Sequence, residues 1–130
     1  MNITDLMLGN IIFSLIDNDG VVLKKICKVE GIRCDGHYVL TDYSDVWYEI
    51  DTFLPILLTQ DILEKNGWTE IVLKDRFYNQ DFAMPVLTKS FDKRNLFWFY
   101  ISETPVFPIN YVHELQNLLH LCGIEKEIEL

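Results

Sequence analysis

Through the first half of the chain, short apolar runs alternate with polar turn signals. Leu8 to Ile16 is followed by Asp17-Asn18-Asp19-Gly20, Val21 to Val29 by Glu30-Gly31, and Ile32 to Cys34 by Asp35-Gly36. Asp-Gly and similar pairs accept the positive φ of tight hairpin turns, so the pattern predicts strand, turn, strand, repeated. His37 to Leu40 and Val46 to Ile50, divided by the polar Thr41-Asp42-Tyr43-Ser44-Asp45, add two further strands.

Near residue 58 the period changes. Thr59 ahead of Gln60-Asp61-Ile62-Leu63 predicts a helix N-cap, with Asp61 favourable in the first turn and Leu58 and Leu63 at the two staple positions. Gly67 predicts the stop, with Trp68 packing back on Leu63. Glu70 to Leu73, Pro85 to Lys89 and Leu96 to Ile101 then read as strands, separated by polar loops at Asn79-Gln80-Asp81 and Asp92-Lys93-Arg94-Asn95. A last helix is predicted with Asn110 as N-cap and Gly123 as stop. Its apolar stripe is Tyr111, Leu115, Leu118, Leu119 and Cys122; its polar side is His113, Gln116, Asn117 and His120. Leu119 is placed to meet Ile124 across the glycine, and Glu125 to Leu130 alternates enough for a short strand or a frayed end.

These elements predict an α+β chain. Residues 1–58 form an SH3-like small antiparallel β-barrel, because several short strands in so little chain favour a strongly bent sheet. Residues 59–130 form a small α+β subdomain of a helix, a short antiparallel sheet and a C-terminal helix. No Gly/Ser/Pro-rich linker marks the boundary, so the two parts are expected to pack together or to make one continuous domain.

Composition narrows the class. A chain of 130 residues with 49% hydrophobic and 24% charged positions can bury a core, which excludes collagen-like, low-complexity and disordered classes. Eleven basic residues against 20 acidic ones give a net charge of -9, which disfavours a duplex nucleic-acid binder without ruling out a local basic patch. No run reaches the roughly 18 apolar residues of a membrane span. The opening MNITDLMLGN has no basic region before an apolar run, so a cytoplasmic protein without a cleaved signal is expected. Cys27, Cys34 and Cys122 form no CxxC pair. If Glu30-Gly31 is a two-residue turn, Cys27 and Cys34 face each other across a hairpin, at about 5.5 Å.

Several candidate chemistries fail on spacing. His113-Glu114-Leu115-Gln116-Asn117 lacks the second histidine of a zinc-protease helix, and His120 lies seven residues from His113, roughly 10 Å along the axis. A solvated polar helix face accounts for these residues. Asp17-Asn18-Asp19-Gly20 places its glycine too early for a calcium loop. Asp42, Asp45, Glu49 and Asp51 read as solvated acids rather than a cation site, and no phosphate-cradling loop or nucleophile elbow occurs. No catalytic, cofactor-binding or metal-ligating residue is therefore assigned.

Two features remain. Lys24, Lys28 and Arg33, with Lys25 between them and His37 and Tyr38 just after, concentrate positive charge on one hairpin. This suits a single-stranded nucleic-acid groove, or lysines that shield an exposed edge strand from aggregation. Leu96 to Ile101 is apolar on both faces, either covered on both sides or leaving Trp98 and Tyr100 to a partner.

At Tyr111-Val112-His113-Glu114-Leu115-Gln116-Asn117-Leu118 the chain resembles an uncharacterised family of small proteins of Bacteroidetes genomes, prophages and mobile elements, whose C-terminal helix reads Tyr-Val-His-Gln-Leu-Gln-Asn-Leu. Asp5-Leu6-Met7-Leu8-Gly9-Asn10 is similar to the family's Leu-Arg-Ile-Gly-Asn opening. Pro55-Ile56-Leu57-Leu58-Thr59, Ile62-Leu63 and Asn66-Gly67-Trp68 continue the likeness. The chain departs from the family at Glu114 and in a last helix a residue shorter. The resemblance implies a bacterial or phage origin and singles out His113, Gln116 and Asn117; it implies no activity or cofactor. The function expected is a non-enzymatic interaction or accessory module for a protein partner or a second copy, using Trp47, Tyr48, Trp98, Tyr100, His113, Gln116 and Asn117. The alternative is single-stranded nucleic-acid binding through Lys24, Lys28 and Arg33.

Overall fold

In the computed structural model, Asp19 (φ 52°) and Gly20 (φ 84°) make the two-residue turn that joins β1 (Ile11–Asn18) to β2 (Val21–Arg33). Positive φ at both turn positions matches the right-handed twist of the flanking strands, and the Gly20 N–H donates to Asp17 Oδ1 at 3.1 Å. The structure describes residues 6–33, 35, 37–71, 76–79, 81–89, 97–101 and 104–130. It divides into two units, Met1–Ile56 and Leu57–Leu130, each built on its own five-stranded antiparallel sheet. Asp5, Cys34, Gly36, Val72, Leu73, Gln80 and the segment from Asp92 to Leu96, which the sequence reading used, lie outside the described residues.

The first sheet adds β3 (Tyr38–Thr41), β4 (Tyr48–Glu49) and β5 (Phe53–Leu54), in the order β4-β3-β2-β1-β5, with a 3₁₀ turn at Ile50–Thr52. Its inner face buries Ile12, Cys27, Val29, Val39 and Phe53 around Leu6 and Ile50. Glu30-Gly31 is not a turn. β2 runs through it with a bulge, Val29 opposite Thr41 and Gly31 opposite Leu40, and continues to Arg33. Gly31 serves a close approach instead: a Cβ there would stand 2.7 Å from Trp47 Cη2.

The second unit opens with α1 (Gln60–Lys65), followed by β6 (Trp68–Ile71), β7 (Arg76–Asn79), β8 (Phe82–Lys89), β9 (Phe97–Ile101), β10 (Thr104–Ile109) and α2 (Val112–Leu121). Thr59 caps α1, its Oγ1 accepting from the Ile62 N–H at 3.2 Å, and Leu58, Leu63 and Trp68 are all buried. The sheet order is β10-β9-β8-β7-β6, and Phe77, Leu87, Phe97, Phe99 and Ile109 are buried. Together the two units make an α+β protein dominated by antiparallel sheet.

Four local expectations change. Arg76–Asn79 is a strand, so Asn79 belongs to a ladder rather than a loop. Thr104–Ile109 is a strand despite Pro105 and Pro108, which its edge position tolerates because an N–H on the outer side of an edge strand has no ladder bond to lose. Tyr111, not Asn110, is the N-cap of α2. The Glu114 carboxylate turns back to accept the N–H groups of both residues at 3.0 Å each. The buried stripe begins at Val112 rather than Tyr111 and runs through Leu115, Leu118 and Leu119, while Cys122 is exposed. The C-terminal residues form no strand and do not fray, because Ile128 is buried and Glu129 is bonded to Asn66. Gly123 (φ 73°) ends α2 as expected, its N–H on the His120 carbonyl and that of Ile124 on the Leu119 carbonyl.

Candidate functional site

The register of the first hairpin sorts its side chains. Lys28 stands opposite Ile11, Ile26 opposite Phe13 and Lys24 opposite Leu15, so these six share the outer face of the sheet. Without the bulge, Arg33 would fall on the inner face, five positions from Lys28. The extra residue at Glu30 shifts the alternation, and Arg33 joins Lys24 and Lys28 on the outer side, opposite Tyr38. The three cations named from the sequence are thus brought to one face, all of them exposed.

Aromatic rings lie beside two of them. Lys24 Nζ is 5.5 Å from the Phe13 ring centroid, and the Arg33 guanidinium is 5.7 Å from the rings of both Tyr38 and Trp47. Arg33 also pairs with Asp35 at 3.6 Å. Trp47 reaches this position because Gly31 leaves room for its ring. Phe13 was missed by the sequence reading; the signal available was its alternation with Ile11 and Leu15.

The distal half of the hairpin is exposed on both faces. Val21 (59%), Val22 (62%), Leu23 (48%) and Ile26 (53%) are all open to solvent. The cause is topological: β3 pairs with β2 only from Val29 onward, and β5 pairs with β1 only at Phe13 and Ser14. Among the described residues, no strand flanks Val21–Lys28 on the side away from β1. The lysines therefore do line an edge.

Backbone polarity along that edge follows from one residue. The Lys28 N–H donates to Asp42 Oδ1 at 2.9 Å and its carbonyl accepts the Asp42 N–H at 3.1 Å, both on the side away from β1. Backbone groups alternate sides along a strand, so Val22, Lys24 and Ile26 also direct theirs to the edge.

On the inner side a groove of about 300 Å³ is lined by Ser14, Ile16, Tyr43, Tyr48 and Thr52 among others. Ser14 Oγ and the Tyr43 hydroxyl are 2.5 Å apart, and Lys25 Nζ is 4.5 Å from the Tyr43 ring centroid. Trp47 and Tyr48, adjacent in sequence, therefore serve different surfaces. Cys27 sits deeper on this side, opposite Ile12, its thiol donating to the Ile12 carbonyl at 3.5 Å. With β2 continuous past Gly31, the hairpin expected to set Cys27 against Cys34 does not exist.

Burial, reinforced by Asp42 and opposed by Lys25, pushes the Cys27 thiol from its ordinary 9.0 up to about 11. Between those values the unfolded chain has lost a proton that the folded chain still holds, so stability falls as pH rises from about 9 to about 11. A melting-temperature profile should decline over that window, and the decline should be shallower in Cys27→Val than in the wild type. Parallel profiles would exclude this contribution.

In the second unit, Trp98 and Tyr100 share the face of β9 opposite Phe97 and Phe99. Both are half-buried, with the Arg76 guanidinium 6.0 Å from the Tyr100 ring centroid. His113 is not on a solvated face: it is 2% exposed and stacked on Tyr111, ring centroids 5.7 Å apart. It lies in the first turn of α2, beside the buried Val112. Gln116 and Asn117 are half-buried and His120 is exposed. Glu49 and Asp51 are exposed, Asp42 is engaged with Lys28, and no cluster suited to a metal ion occurs among the described residues.

No helix among the described residues is long and apolar enough to cross a membrane. Compared with protein-family models, with curated protein sequences and with solved structures, the chain gives no match.

Proposed function

We propose that this chain is a non-enzymatic protein-interaction module of a bacterial or phage system, acting in the cytoplasm, with an SH3-like first unit whose β1–β2 hairpin makes the contact. The observation that carries the reading is the exposure of Val21, Val22, Leu23 and Ile26 together on a two-stranded arm. Contiguous exposed apolar surface with a charged rim is the signature of an interaction site, whereas isolated exposed apolar residues need no explanation. The test is selection of a displayed peptide library on the full chain, in parallel with a variant carrying Val22→Ser, Leu23→Ser and Ile26→Ser. Peptides enriched by the wild type and lost on the variant support the module. Enrichment equal on both proteins, or none, overturns it.

A second reading is binding of single-stranded nucleic acid on the outer face, favoured by the grouping of Lys24, Lys28 and Arg33 beside Phe13, Tyr38 and Trp47. It requires oligothymidylate binding that weakens with salt, with a log-log slope of about -2 if three phosphates are neutralised. That binding should be lost when the three cations are changed to Glu. Flat titrations at low salt end it. The protein reading stands ahead because Val21, Val22, Leu23 and Ile26, half of Val21–Lys28, are exposed aliphatic side chains with nothing to offer a phosphate backbone.

A further inference from the structure

We propose that the Val21–Lys28 edge of β2 takes up an extended, acidic segment of a partner protein as an added β-strand. This rests on the interaction-module reading and names the partner's chemistry and mode of binding. Three observations converge on it.

The first is the backbone. Val22, Lys24 and Ile26 direct their N–H and C=O groups to an edge that no strand among the described residues covers, as the outward bonds of Lys28 to Asp42 establish. These groups offer an incoming strand three repeats of the ladder spacing. The second is side-chain chemistry. Apolar Val22, Leu23 and Ile26 project on the two faces, and Lys24, Lys25 and Lys28 stand among them. On each face lysine and aliphatic residues mix, so an incoming strand in which Glu-Glu and Val-Val pairs alternate, carrying carboxylate and aliphatic side chains in turn along each face, meets both. The third is charge. A chain of net charge -9 that gathers three lysines along this edge disfavours its own pairing there. In an antiparallel self-pair the lysines of one copy would lie against those of the other, and like charges across a ladder destabilise it. A negatively charged strand has no such conflict across the ladder, and the lysines of this edge attract it locally against the chain's overall negative charge.

The experiment uses the full chain and a labelled nine-residue peptide of alternating Glu-Glu and Val-Val pairs with blocked ends. Its companions are a block isomer of the same composition and the corresponding Lys/Val peptide. Fluorescence anisotropy should show binding of the alternating Glu/Val peptide that weakens with salt and falls about tenfold or more in Lys24→Glu/Lys28→Glu. The Lys/Val peptide should not bind. Amide hydrogen exchange of the wild type supplies a readout that needs no variant. On saturation with the peptide, exchange at Val22, Lys24 and Ile26 should slow, while Leu23 and Lys25, already bonded to β1, should change little.

Absence of binding, equal binding of the block isomer, or protection elsewhere than these three amides overturns strand addition. Binding of oligothymidylate but not of the peptide transfers the surface to nucleic acid. Light scattering that finds a dimer with the three amides already protected gives the edge to a second copy. If the library selection yields hairpin-dependent peptides while the Glu/Val strand fails, the module survives and only the mode of binding falls.

Discussion

Replacing Phe77 with alanine is expected to destabilise the chain by about 3–5 kcal/mol, read as a shift of the urea unfolding midpoint. Phe77 is 0% exposed on an interior strand of the second sheet, between Glu70 of β6 and Leu87 of β8. Truncation removes the apolar area of the ring and leaves a cavity that the backbone ladders on both sides keep from collapsing. It also removes an edge-to-face pair with Phe97, centroids 5.6 Å apart and planes at 82°, of the kind worth about 0.5–1.5 kcal/mol beyond burial. Tyr78→Ala is the matched control. Its neighbouring side chain is half-buried on the opposite face of the same strand, so it should cost less than half as much. A loss below about 1 kcal/mol for Phe77→Ala would mean that this position does not anchor the sheet.

That strand also shows where reading the sequence stops. Arg-Phe-Tyr-Asn puts only Phe77 and Asn79 inward, and Asn79 beside Gln80 and Asp81 imitates a turn. The capped elements were legible because their determinants are local: Thr59 for the start of α1, Gly67 and Gly123 for the two ends, Asp19-Gly20 for the hairpin. The bulge at Glu30-Gly31 was not. A glycine beside a polar residue serves a turn equally well, and what decides the matter is Trp47, far along the chain, occupying the missing Cβ's place. The basic cluster was visible as composition. That Arg33 shares a face with Lys24 and Lys28 depends on the bulge, so the geometry of the candidate site could not be read from alternation alone. His113 failed for a different reason: Leu115, Leu118 and Leu119 keep the inward face expected of them, and the first turn of α2 is covered on a second side as well, which the helical period does not show.

Asn66→Asp, a change of one atom, is expected to cost about 2–4 kcal/mol at pH 7. Asn66 is 4% exposed at the end of α1. Its Nδ2 donates to the carbonyls of Ile62 and Glu129, 2.7 Å each, and its Oδ1 accepts the Glu129 N–H at 2.7 Å. The amide thus serves both backbone groups of Glu129 and ties the C-terminal segment to the helix, with Ile128 buried alongside and Lys65 Nζ bonded to the Leu130 carbonyl. Exchanging the NH₂ for oxygen preserves the acceptor but points a carboxylate at two carbonyl oxygens with no donor between them. Protonation relieves part of this, because a neutral carboxyl can donate to one carbonyl. The introduced carboxyl should therefore have a raised pKa in the folded state. Its destabilising effect is full above that raised value and shrinks as pH falls toward the unfolded value of about 3.9. Urea midpoints of the variant and the wild type should differ most at neutral pH and draw together as pH falls from about 7 to about 4. Amide exchange at Glu129 should be faster in the variant at pH 7 than in the wild type. A variant within about 0.5 kcal/mol of the wild type at neutral pH would show that the segment is not held by Asn66.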